Sequence, residues 1–167
     1  EAMADGVCIV NQELTIEFMN SVMVESFGDA IGEKCYEILA DRNEICDPCD
    51  AVKVFNGETL HHEVYNKIAD KLYDIIEIPL KNDDGTLSKL SIFRDISPKK
   101  RQEERLKASE EQYRRLFELV GCGVFISSKE GRFLEANLAL LDMLGYSNRD
   151  EFFKIDIVSL PSSSFRV

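Results

Sequence analysis

The chain repeats itself. Sliding the sequence by 117 residues without a gap lays GVCIVNQELTIEFMN, Gly6 to Asn20, on GVFISSKEGRFLEAN, Gly123 to Asn137. Gly6, Val7, Ile9, Glu13 and Asn20 meet identical residues at Gly123, Val124, Ile126, Glu130 and Asn137. The register then runs apolar on apolar through Met23/Leu140, Val24/Leu141 and Phe27/Leu144 to Gly28/Gly145. A repeat that keeps both its punctuation and its hydrophobic pattern is one supersecondary unit built twice. At 167 residues the chain exceeds one typical domain and is short for two. The expected organisation is one whole domain at 1–97, a connecting helix at 98–117 and the N-terminal part of a second copy at 118–167.

Within the first copy, Gly6 to Val10 is a short apolar strand, and Leu14 to Met19 alternates behind the turn residues Asn11 to Glu13. Asn20 and Ser21 can cap a helix that Gly28 stops, and Cys35 to Ala40 forms a second helical piece. A third follows over Ala51 to Phe55, with Asp47 placed to cap it and Pro48 at its first position. Beyond Gly57 the period changes to two, and Thr59 to Lys67, Lys71 to Leu80 and Leu87 to Arg94 read as strands. Two strands, short helices and three antiparallel strands predict an α+β domain: a five-stranded antiparallel sheet with helices on one face.

From Ser97 to Val120 neither glycine nor an internal proline interrupts a run of strong helix formers, with Ser97 as the expected N-cap and Pro98 in the first turn. Leu106, Tyr113 and Val120 recur every seven residues, with Leu116 in the d-type register between them. One helix cannot bury such a stripe alone, so the pattern predicts a homodimer paired in parallel as a coiled coil along this segment; polar Gln102 and Ser109 work against that pairing. The second copy holds only two strands and the early helices, and a two-stranded ribbon is marginal in water. It is expected to be ordered only by docking on another element or on another chain.

The order and spacing of these pieces resemble PAS domains. Both copies show the GV start, the turn, the strand ending in Asn20 or Asn137, and the helix closed by Gly28 or by Leu144-Gly145-Tyr146-Ser147. Arg94-Asp95-Ile96-Ser97 resembles the Asp-Ile-Thr motif that ends a PAS core and enters a signalling helix, with Ser in place of Thr. Tyr113-Arg-Arg-Leu-Phe117 is similar to the usual lead-in to a next copy. The resemblance implies the tandem input region of a prokaryotic two-component signal transduction protein, most often a sensor histidine kinase, whose downstream output domain lies elsewhere in the same chain. It implies a ligand, redox or partner signal relayed through the connecting helix. A ligand-free interaction and dimerisation module is the alternative.

Charge narrows the partners. A net charge of −11 and a pI near 4.7 argue against nucleic acid or an anionic membrane, both of which need clustered Lys and Arg. No apolar run reaches about 18 residues and no signal peptide is visible, so the segment is expected to have no membrane contact and to be cytoplasmic. Nothing reads as an enzyme. His62-Glu-Val-Tyr-Asn66 superficially resembles a histidine-kinase phosphoacceptor box, but Lys67 follows where proline is usual and the segment reads as a strand. His61 and His62, as strand neighbours, should be one surface residue and one packed residue.

The one constellation able to carry chemistry is Cys35-x10-Cys46-x2-Cys49. The close pair suits zinc, an iron–sulfur cluster or a redox dithiol. Cys35, Cys46 and Cys49 are therefore candidate metal ligands. A closed site needs a fourth ligand, which Cys8, His61, His62 or an exogenous group could supply. Redox thiols and small buried thiols are the other readings. Cys122 belongs to no cluster.

Overall fold

The computed structural model describes residues 5–155. The chain divides into two compact units, Glu1–Gln102 and Glu103–Val167. The last stretch assigned to the second copy, 156–167, lies outside the described residues.

The first unit is an α+β domain. Strands β1 (Gly6–Val10) and β2 (Ile16–Met19) lead into helices α1 (Ser21–Phe27), α2 (Cys35–Ala40) and α3 (Asp50–Phe55). Strands β3 (Leu60–Asn66), β4 (Lys71–Lys81) and β5 (Leu87–Asp95) follow. The sheet order is β2-β1-β5-β4-β3 and every pairing is antiparallel. Alternation decides which face packs: Cys8, Val10, Tyr73, Ile75 and Phe93 point to the helices and are buried. Met19 and Met23 join them, with Val24 and Phe27 of α1 and Ile38 and Leu39 of α2 packed against the cluster. Tyr73 meets Phe93 edge-on, with ring centroids 5.6 Å apart.

Three local expectations are corrected. The second strand starts at Ile16, not Leu14, because the Asn11 side chain accepts from both Glu13 N and Thr15 N and folds the chain into a turn. Leu14 sits in that turn at φ 63°, and its carbonyl accepts from Cys35 N at 2.9 Å, which ties the start of α2 to the hairpin. The third helix begins at Asp50 with Cys49 as its N-cap; Asp47 and Pro48, joined by a cis peptide, lie in bends before it and cap nothing. Asp50 supplies the acidic group of the first turn and accepts from Lys53 at 2.8 Å.

The connecting helix α4 spans Ser97–Leu119. Ser97 does not cap it as expected. Its hydroxyl is turned inward, where it accepts from Leu72 N on β4 at 2.8 Å, while Asp95 accepts from Ser97 N at 2.9 Å. The helix therefore starts locked to the sheet, with Asp95 at the end of β5 as the capping acceptor. Along α4, Leu106, Tyr113 and Leu116 are exposed.

In the second unit β6 (Phe125–Ser127) and β7 (Phe133–Ala136) form a two-stranded sheet. Helices α5 (Leu138–Leu144) and α6 (Arg149–Phe152) follow. Phe133, Ala136, Leu140, Leu141 and Phe152 make its core. Glu118, near the end of α4, accepts from Leu138 N at 2.9 Å and pairs with Arg149, so the hairpin and its helices dock on that helix. Burial works against the Glu118 carboxylate, but the Leu138 N–H and the Arg149 guanidinium outweigh it and lower its pKa.

Candidate functional site

A cleft of about 590 Å³ opens in the first unit between α2, the start of α3 and the helix-facing side of β3, β4 and β5. Strand register determines its floor. Gly6, Phe93, Ile75 and His62 form one row across β1, β5, β4 and β3, and Cys8, Ser91, Glu77 and Leu60 form the next. Lys89, two residues before Ser91 on the same face, stands diagonal to Glu77 and within reach of it.

That second row holds a buried ionic group. Glu77 is 5% exposed and Lys89 9%. Lys89 Nζ donates to Glu77 Oε1 at 2.5 Å, and Ser91 Oγ donates to the same oxygen at 3.2 Å. Burial pulls the Lys89 ammonium down, but the charge and hydrogen bond of Glu77, helped by Cys35 and Cys8, more than offset this and hold its pKa above the ordinary value. The pair lies in the floor of a cleft whose walls mix apolar side chains with polar ones such as Asp50, His62 and Asn66, and its dipole can orient a polar ligand group. A charged pair in such a place adds little stability compared with apolar side chains of the same shape. Sequence reasoning missed this pair, although the signal was present: Glu77 shares the parity of Tyr73 and Ile75, and Lys89 that of Phe93.

Cys35, Cys46 and Cys49 all border this cleft, as does His62. Cys35 opens α2, Cys49 caps α3 and Cys46 lies in the loop between those helices. Burial raises the Cys35 thiol; Lys89 opposes it, and Cys49 and Cys46 push it further up. Among the described residues no group of three or more His, Cys, Asp or Glu side chains is arranged to hold a metal ion. Cys8 is wholly buried, its thiol pushed up to about 12 chiefly by burial. Cys122 is exposed in the other unit. His61 is exposed and contacts Asp74, while half-buried His62 faces the cleft, as strand alternation requires. Segment His62–Asn66 lies within β3, so it is no helical phosphoacceptor box.

The fold and the repeat converge on one family. The PAS domain family matches residues 4–98 and, by a second PAS domain model, residues 111–166. The chain belongs to the PAS domain family. The first PAS match covers the sheet, its helices and the entry to α4; the second covers the end of α4 and the second unit. Among solved structures, the chain is similar to a domain of an HTR-like protein from Haloarcula marismortui, at 20% identity and a TM-score of 0.47, covering 57% of this chain and 100% of that one. The PAS domain of nitrogen regulation protein NR(II) from Vibrio parahaemolyticus is similar at 12% identity and a TM-score of 0.45, over 56% of this chain and 91% of that one. A sensory box sensor histidine kinase from Vibrio cholerae shows 18% identity and a TM-score of 0.39, over 56% of this chain and 79% of that one. No curated protein matches. Among the described residues no helix is long and apolar enough to cross a membrane.

Proposed function

We propose that the first PAS domain is a sensor whose cleft takes a small molecule and whose occupancy is relayed through β5 to α4, in the input region of a signal transduction protein. The output that the family resemblance implies is a histidine kinase. The observation that carries the reading is the cleft with a buried ion pair in its floor: a pure interaction module would fill this space with Phe, Leu and Ile side chains. The relay is supported by continuity. Lys89 and Phe93 line the cleft on the strand that ends at Asp95, and Asp95 and Leu72 together fix Ser97 at the head of α4. Relay through a homodimer would place Leu106 and Leu116 at a seam between two copies of α4.

Native mass spectrometry of the chain, incubated with fractionated extract from its own cells, tests this. Replacing the pair together, as Glu77→Leu with Lys89→Met, removes the polar floor while keeping side-chain volume, and such exchanges are tolerated by the fold. A bound small molecule in the wild type that the double variant loses supports the sensor. If no fraction yields an adduct and α4 carries the only measurable association, the ligand-free interaction module is correct.

A further inference from the structure

The four cysteines of the first unit divide into two kinds. Cys8 is wholly buried on β1, and Cys35, at the head of α2, is held protonated by its burial. Cys46 and Cys49 sit instead in the loop before α3, half-buried, both on the border of the cleft. Only Asp47 and Pro48 separate them, and the chain bends at both. Three peptide units reach at most about 11 Å when fully extended, and bends at both intervening residues shorten that span toward the separation a disulfide bridges. Metal binding asks for three or four ligands converging on a point, and no such group exists among the described residues. A disulfide asks for two sulfurs only.

We propose that Cys46 and Cys49 form a reversible dithiol–disulfide couple at the mouth of the cleft, with hydrogen peroxide as the oxidant. One thiolate attacks the peroxide bond, forming a sulfenic acid and releasing the first water. The second sulfur then attacks the sulfenic sulfur, the S–S bond forms and a second water leaves. The protein gives up two electrons and two protons, and hydrogen peroxide is reduced to two waters. Dithiols reverse the step by exchange through a mixed disulfide.

The consequence rests on the sensor reading given above. Cys49 is the N-cap of α3, a helix that packs on β4 and β5 and buries Ala51 and Val54. Closing the Cys46–Cys49 ring fixes the entry of α3, and with it one wall of the cleft and one contact of the strand that leads to α4.

The test uses the whole chain carrying Cys122→Ser, which removes the exposed thiol able to cross-link copies. The protein is treated with hydrogen peroxide, equilibrated in graded reduced and oxidised dithiothreitol, alkylated and mapped by peptide mass spectrometry. The expected result is two alkylatable thiols fewer per chain, one disulfide linking Cys46 to Cys49, full recovery in reduced dithiothreitol and an unaltered Cys8. Cys46→Ser should leave Cys49 alkylatable in the oxidised buffers. The proposal is overturned if both thiols stay alkylatable throughout, if Cys49 pairs with Cys35 instead, or if either is carried to a form that dithiothreitol does not restore. Hydrogen exchange on the same samples separates the two ideas: a disulfide that forms while α4 exchange stays unchanged leaves the couple standing and counts against the relay alone.

Discussion

Asn20 and Asn137 hold the same place in the two copies and bond the same atoms. Asn20 Oδ1 accepts from Val7 N at 3.0 Å and Met23 N at 3.1 Å, and its Nδ2 donates to Asp5 O at 2.9 Å. Asn137 repeats this with Val124 N at 2.9 Å, Leu140 N at 3.0 Å and Cys122 O at 2.9 Å. One side chain thus caps a helix and fastens it to the strand before it. The repeated glycines have a matching reason. A Cβ on Gly6 would come within 2.6 Å of Met23 Sδ, and one on Gly123 within 2.8 Å of Leu140 Cδ1, so strand and helix approach at the same point in both. Asn20→Ala leaves two N–H groups and a carbonyl without this partner and is expected to cost about 2–3 kcal/mol in urea denaturation. A loss below the error of that measurement would show that water replaces the amide. Cys8 carries a pH prediction. Its thiol is raised from the ordinary 9.0 to about 12 by burial, so the folded state keeps the proton after the unfolded chain has lost it. The stabilisation is present below 9.0 and is lost as pH rises toward 12, roughly 4 kcal/mol across that window. Urea denaturation followed upward from neutral pH should show a steeper alkaline decline in the wild type than in Cys8→Ala; parallel declines would contradict it.

At the scale of elements, most of the architecture was legible because β1, β4 and β5 combine clear alternation with glycine and asparagine punctuation. What was not legible has physical causes. The first turn of α3 was misplaced because Asp47-Pro48 has the composition of a helix start, whereas a bend there defers the helix to Asp50. Ser97 reads as a cap by residue type, yet a hydroxyl can equally accept from a neighbouring strand, and only the tertiary position of Leu72 decides between them. Of the site, the three cysteines at the cleft could be picked out by spacing, but the Glu77–Lys89 pair could not be picked out by composition, since charged strand residues are ordinarily solvated. The heptad stripe of α4 stands exposed, Leu106 at 62% and Leu116 at 59%. Tyr113 is partly engaged: it stacks on Phe117 and donates to Glu135 at 3.0 Å. The seam is therefore expected to depend on the leucines. Leu106→Glu with Leu116→Glu should shift sedimentation from dimer to monomer at micromolar concentration, whereas Tyr113→Phe should not. Unchanged sedimentation of the double variant would remove α4 as the seam.

At the scale of the whole molecule, the proposed relay leaves the first PAS domain through α4. Ser97 at its head makes two bonds, one from the strand that floors the cleft and one to the end of the strand that leaves it, and Ile96 N just before it donates to Leu72 O at 2.9 Å. Filling the cleft should therefore change how firmly the first turns of α4 are held. Maleimide attached at Cys46 and Cys49 puts a bulky occupant at the mouth of the cleft without requiring the natural ligand, and Ser97→Ala removes the bond from Leu72 while leaving the sheet pairings intact. Hydrogen exchange by mass spectrometry on residues 97–105, in labelled and unlabelled chains, reads the coupling directly. The expected result is a several-fold change in exchange there on labelling in the wild type and little or none in Ser97→Ala, with β1 and β5 protected alike in both. Identical exchange at 97–105 in fully labelled and unlabelled wild type would contradict it.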